Sequence, residues 1–308
     1  DAGDGGKFEF KQGGTANGTI NAESAVFKIG AAYAVPGTLK TNSSTTWDLG
    51  TSNLNLSGGR LYLGGNVVLD KVLTDNQTSF KLGEDATVTR NQGFTLGGLD
   101  LDNSTFTLGS ATTDLTLDLS DCSGTCNSPI GTLATEAADL TILGAPTVIS
   151  GTTISSTGGI FTFGDGISLN GGTISLTGST LVLGSSFTKT GGTLTLAGTD
   201  LELLSNLSLS SDAAVTVKEL RLENKTLTLQ STSSFTVADQ LMLDNTNERI
   251  IWDDNTSLAL SGGLKLDTNG ELTWKNPGNL DIANITLNGG VLTIGESAVD
   301  WRIGTNVH

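Results

Sequence analysis

Residues 191–210 read GGTLTLAGTDLELLSNLSLS, and what this stretch repeats decides the fold. Its apolar residues fall on alternate positions, with Gly, Asn, Asp or Ser between the runs. Alternation with a period of two gives each strand one buried and one wet face, and the interrupting residues supply turns. The inward pair Leu194/Leu196 recurs along the chain. Ile174/Leu176 precedes it, and Val215/Val217, Phe235/Val237, Leu258/Leu260, Leu280/Ile282 and Val299/Trp301 follow, with first members 20, 21, 20, 23, 22 and 19 residues apart.

Two further strand classes keep step with the first. One runs through Leu181, Leu201, Leu220, Leu241, Leu264 and Ile285, the other through Phe187, Leu207, Leu227, Ile250, Leu272 and Leu292. Upstream, Phe8/Phe10, Phe27/Ile29, Trp47/Leu49, Val67/Leu69, Ala86/Val88 and Phe106/Leu108 repeat at 19, 20, 20, 19 and 20 residues. Three in-phase ladders mean three strands per turn, and a fixed internal period marks a solenoid. A sandwich or barrel also has short alternating strands, but it does not require strand n to match strand n+3 in inward residue type. The pattern therefore predicts an all-β, right-handed parallel β-helix of about 20 residues per coil and roughly 15 coils. It forms a single continuous solenoid over residues 1–308, with a loop insertion at about 120–129 where the phase breaks. A single coil buries too little to offset the entropy of ordering its backbone, so stability comes from stacked neighbours.

Composition agrees. The chain has 41 Gly, 4 Pro and 36% hydrophobic residues, and its net charge is −16 from 16 Lys plus Arg against 32 Asp plus Glu. A phosphate backbone needs clustered cations, so nucleic acid is excluded as a partner, and no apolar run of about 18 residues exists to span a membrane.

Few residues could carry chemistry. Cys122 and Cys126, in SDCSGTCNSP, can be a metal pair, a redox pair or a loop staple. Zinc needs about four ligands, and the one His is His308, so we expect a local disulfide and an oxidising, extracellular compartment. Asp253-Asp254 is the one Asp-Asp doublet, and it could serve as a glycosidase carboxylate pair. No His accompanies it and the chain has five Arg, so a solvated turn is the expectation and no enzyme activity is assigned. Trp47, Trp252, Trp274 and Trp301 fall on inward positions and read as core rather than sugar platforms. Acidic turns such as LDTNGE (266–271) and DAGDGG at the start suggest weak surface calcium at most, and no cofactor is implied. Asn-x-Ser/Thr sites include Asn17, Asn42, Asn76, Asn103, Asn206, Asn224, Asn255 and Asn284, near the chance count for this composition. Ice-binding ranks of stacked Thr are broken: Thr193/Thr195 is followed by Ala214/Thr216, Ser234/Thr236 and Ser257/Ala259.

The Gly-Gly-Thr starts (GGTISLTG, GGTLTLAG) and the Leu/Thr/Ser/Asn-rich strands resemble the repeat regions of secreted bacterial surface proteins, the filamentous-haemagglutinin-like adhesins and autotransporter passengers. The resemblance implies a secreted, extracellular or cell-surface rod. Likeness to pectin-degrading β-helices stops at architecture, since their His-Gly and Arg-x-Lys motifs are absent. The pattern runs from Phe8 to Ile303 without an amphipathic capping segment. We therefore expect a structural protein whose partners are copies of itself, stacked end to end as a filament or scaffold. An adhesin stalk or a segment contacting cell-surface glycans is the alternative, with a polysaccharide-degrading enzyme behind it.

Overall fold

The computed structural model describes all residues except 1–4, 111–112, 121–129, 231–233, 246–247, 253–256, 268–269, 275–279, 295–300 and 308. Of the strand residues it leaves out the side chains of 252, 273–274, 294 and 301–307. Cys122, Cys126, Asp253, Asp254 and His308 lie outside the described residues. Every described regular element is a strand, and the strands stack in parallel as a β-solenoid of about 12 turns. The count is slightly below the expected 15, and the turn through residues 120–129 is longer than twenty residues. Phe106 pairs with Leu133, 27 positions on, and Leu115 with Leu140, 25 on. The chain divides into two compact units, Asp1–Ile160 and Phe161–His308.

In the first unit Phe8, Phe27 and Trp47 stand in one ladder, and Phe10 pairs with Ile29. The Phe27 and Trp47 rings meet edge to face at 5.8 Å. A second ladder runs Ile20, Leu39, Leu61, Phe80, and a third Ala86, Phe106, Leu133, Ile154. Apart from Phe8, Phe10 and the half-buried Trp47, these side chains are buried. One expected register is off by two: Val67 pairs with Val88, and Gly65 with Ala86. The cause is an irregularity in the strand Ser79–Thr89, which spends four positions from Leu82 to Ala86 where its neighbour spends two from Leu63 to Gly65. Glu84, in that extra stretch, reaches two turns back and accepts hydrogen bonds from Ser43 N at 2.5 Å and Ser43 Oγ at 3.0 Å. Its side chain passes over Gly64, where a Cβ would lie 2.2 Å from Glu84 Oε1.

In the second unit Val215, Phe235, Leu258 and Leu280 form one ladder, with Val217, Val237, Leu260 and Ile282 beside it. Leu181, Leu201 and Leu220 form a second, and Leu207, Leu227, Ile250, Leu272 and Leu292 a third. Two expected partners shift by two residues. Phe187 lies opposite Leu209 rather than Leu207, and Leu280/Ile282 face Trp301/Ile303 rather than Val299/Trp301. Two added residues keep a side chain on the same face, so alternation alone cannot detect the slip.

Corners carry a recurring bond that joins successive turns. Thr45 Oγ1 donates to Ala22 O (2.8 Å), Thr78 to Leu56 O (3.1 Å), Thr113 to Arg90 O (3.1 Å) and, in the second unit, Thr199 to Leu176 O (3.0 Å). Each spans 22 or 23 residues, and Thr78, Thr113 and Thr199 are fully buried. A buried hydroxyl needs a partner, and here it takes a carbonyl of the preceding turn.

Candidate functional site

One feature of the second unit that departs from uniform stacking is a cleft between two successive turns. It arises from a change of corner. Asn170-Gly171-Gly172-Thr173 and Thr190-Gly191-Gly192-Thr193 let the chain bend without leaving the strand, so Ile167–Thr177 and Ser186–Ala197 run through their corners. Gly192 has φ +70°, and a Cβ there would lie 2.3 Å from Gly172 O, so glycine is required. The next corner, Ser211-Asp212-Ala213-Ala214, has no glycine. Here Ser211 Oγ donates to Ala213 O at 2.8 Å, and the strand stops at Ser211 and restarts at Val215.

The two unlike corners do not nest. Before the corner, residues 186–189 pair with 208–211, and after it Lys218 N donates to Thr199 O (2.8 Å) and Leu201 pairs with Leu220. Between these points residues 193–197 pair only with 173–177, and 215–217 only with 235–237. Ala197 O accepts from Gly178 N, and Val217 O accepts from Ala238 N, each on the side away from the gap. Backbone groups alternate sides along a strand, so those of Leu194, Leu196 and Thr216 face the gap.

The cleft has a volume of about 410 Å³ and is lined by Leu194, Leu196 and Ala197 on one wall, and by Ala214, Val215 and Thr216 on the other, with Lys218 at the end of that wall. Leu194 and Leu196 are only half-buried, although their equivalents one turn earlier, Ile174 and Leu176, are 1% and 0% exposed. Three ion pairs flank it. Lys189 Nζ lies 2.5 Å from Asp212 Oδ1, and Asp200 takes Lys218 at 3.5 Å and Arg221 at 3.2 Å. Arg221 also donates to Glu219, and this bond holds the Glu219 carboxyl below its ordinary pKa and raises that of Arg221.

The expected sites fare differently. Trp47 sits in the Phe27 ladder; the backbones of Trp252 and Trp274 lie in register with buried Leu229. Asp267, in LDTNGE, accepts from Lys265 (2.5 Å) and Asn288 (2.9 Å), which hold its carboxyl below the usual range. Among the described residues no three His, Cys, Asp or Glu are grouped as metal ligands. The Thr rank is broken at the cleft: Thr193/Thr195 pair with Thr173/Ser175 and not with Ala214/Thr216. Asn17, Asn76, Asn103, Asn206 and Asn224 are exposed, whereas the Asn42 side chain accepts from Ser24 N and Ser44 N. Sequence reading missed both the cleft and the threonine bonds. Their signals are the switch from Gly-Gly-Thr to Ser-Asp-Ala-Ala at residues 211–214, and an Asn, Asp or Ser three residues before Thr45, Thr78 and Thr113.

Comparison with protein-family models, curated proteins and solved structures gave no match to this chain.

Proposed function

We propose that this chain is an extracellular structural protein, a rigid β-solenoid whose turns continue onto those of further copies as a filament or scaffold. What carries the reading is the state of the outermost strands of the first unit. Among the described residues Lys7–Phe10, Gly14–Thr15 and Thr19–Asn21 are each the last strand of their sheet. A strand edge is a template for another strand, and parallel coils of one sequence offer a matching edge. Such head-to-tail contacts do not close on themselves and grow. The acidic charge supports solubility and disfavours nucleic acid.

Sedimentation velocity of the purified chain over a hundredfold concentration range tests this. Mass that rises without a plateau at dimer supports stacking; a monomer throughout overturns it. An adhesin stalk or glycan-contacting segment is the less favoured alternative. Among the described residues the large exposed apolar side chains are aliphatic, such as Val68, Leu204, Met242 and Val291, and offer no ring for a sugar to stack on.

A further inference from the structure

We propose that the cleft is a water-bridged joint, in which a file of water molecules takes the place of the strand ladder between residues 193–197 and 215–217, and that the second unit opens first there. The width of the gap names the ligand. Cα atoms of the two walls come within 8 Å of one another, whereas a direct ladder sets them about 4.8 Å apart and a further strand paired to both needs roughly 9.6 Å. One water between an N–H and a C=O lengthens the donor-to-acceptor distance from about 2.9 Å to about 4.7 Å, which spaces the strands by roughly 6.5–7.5 Å. Chain length keeps the walls at that distance. Lys189 pairs with Ser211 before the cleft and Leu201 with Leu220 after it, so twelve positions on one wall are met by nine on the other. One turn earlier Leu169 pairs with Lys189 and Leu181 with Leu201, twelve against twelve, and residues 173–177 pair directly with 193–197.

The facing backbone gives each water the partners it needs. Leu194, Leu196 and Thr216 turn their N–H and C=O groups to the gap, and a direct parallel ladder would join Thr216 N–H to Leu194 O and Leu196 N–H to Thr216 O. A water at each of those two points accepts from the amide and donates to the carbonyl, and its second hydrogen turns to a neighbouring water. At about 30 Å³ per water, the 410 Å³ of the cleft has room for these and roughly a dozen in all. The same water wets Leu194 and Leu196, which are half-buried where Ile174 and Leu176 are fully buried. Walls held on one side by a ladder and on the other by water open more readily than strands paired on both sides. This inference stands apart from end-to-end stacking, because the cleft lies within the second unit and the stacking edges belong to the first.

The test uses the whole purified chain. A high-resolution crystal structure should show ordered waters between Thr216 N and Leu194 O and between Leu196 N and Thr216 O. In solution the amides of Leu194, Leu196 and Thr216 should exchange at least a hundredfold faster than those of Leu258 and Leu260, whose strand is paired on both sides. Thr195 and Val217, bonded on the far side of each wall, should exchange at least tenfold faster than the same references, which marks the joint as the first to open. Two proline variants separate water from ladder. Thr216→Pro removes an N–H that meets water, whereas Thr236→Pro removes one that bonds the strand Val215–Val217, so the first should shift the urea midpoint by less than a third as much as the second. Direct N–H to C=O contacts across the cleft, no ordered water at the two points, or equal midpoint shifts for the two prolines would overturn the proposal. So would exchange at Leu194, Leu196 and Thr216 as slow as at Leu258 and Leu260, or exchange at Thr195 and Val217 no faster than there.

Discussion

Removing Asp212 should destabilise the second unit far more than removing its partner Lys189. The Lys189 side chain is 6% exposed and that of Asp212 46%, with Nζ and Oδ1 2.5 Å apart. At that distance and an effective dielectric of about 20 the gross attraction is roughly 7 kcal/mol, against several kcal/mol for desolvating the ammonium. Asp212→Ala leaves the buried ammonium without its carboxylate and should cost about 3 kcal/mol. Lys189→Met retains the packing of the stem and releases Asp212 to water, so its cost should stay below about 1 kcal/mol. The double variant should lie within about 1 kcal/mol of the parent, giving a coupling of about 3 kcal/mol. Urea titrations at constant slope give the stabilities, and native-state exchange at the amides of Ser186–Ala197 localises the effect. Equal losses below about 0.5 kcal/mol for both single variants would show that Lys189 is solvated, and would refute the corner packing that buries it.

Other perturbations test the remaining contacts. Gly64→Ala places a Cβ 2.2 Å from Glu84 Oε1, so Glu84 must swing away and release Ser43. Gly64→Ala and Glu84→Ala should each cost about 1–2 kcal/mol and together little more than either, whereas full additivity in urea would deny that they act on one contact. Thr78→Val removes the hydroxyl that donates to Leu56 O and should lower stability by about 1–2 kcal/mol, measured as a shift in the urea midpoint; an unchanged midpoint would mean that the corner bond contributes nothing. Burial pushes the Glu248 carboxyl up, but the Asp244 amide, the Asn245 side chain and the amides of Asn224 and Asn245 outweigh it and hold its pKa below the ordinary glutamate value. Its contribution is therefore fully present above a pH of about 4.3 and is lost as pH falls through the lowered folded value, so Glu248→Gln should flatten the acid limb of a stability–pH profile. An acid limb as steep as the parent's would contradict this.

Much of the fold was legible because a parallel coil places equivalent residues directly over one another. Phe27 under Trp47, Ile174 under Leu194 and Leu227 under Ile250 could be paired from spacing alone. Spacing failed where a strand carries extra residues without changing face, at Val67/Val88 and Phe187/Leu209, because two added positions leave the alternation intact. The cleft escaped for a related reason. Leu194/Leu196 and Val215/Val217 carry the same inward pattern, and only the conformations of the corners before them decide that these strands do not pair. The threonine bonds were hidden because Thr is common on the wet face of every strand, and only the turn geometry singles out Thr45, Thr78, Thr113 and Thr199.

Cryo-electron microscopy of the purified chain at high concentration tests the central claim most directly. End-to-end stacking predicts filaments in which the strand ladder, about 4.8 Å per turn, passes from one copy to the next without a break, with Lys7–Phe10, Gly14–Thr15 and Thr19–Asn21 paired at the junction. Discrete particles with those three edges unpaired would contradict it.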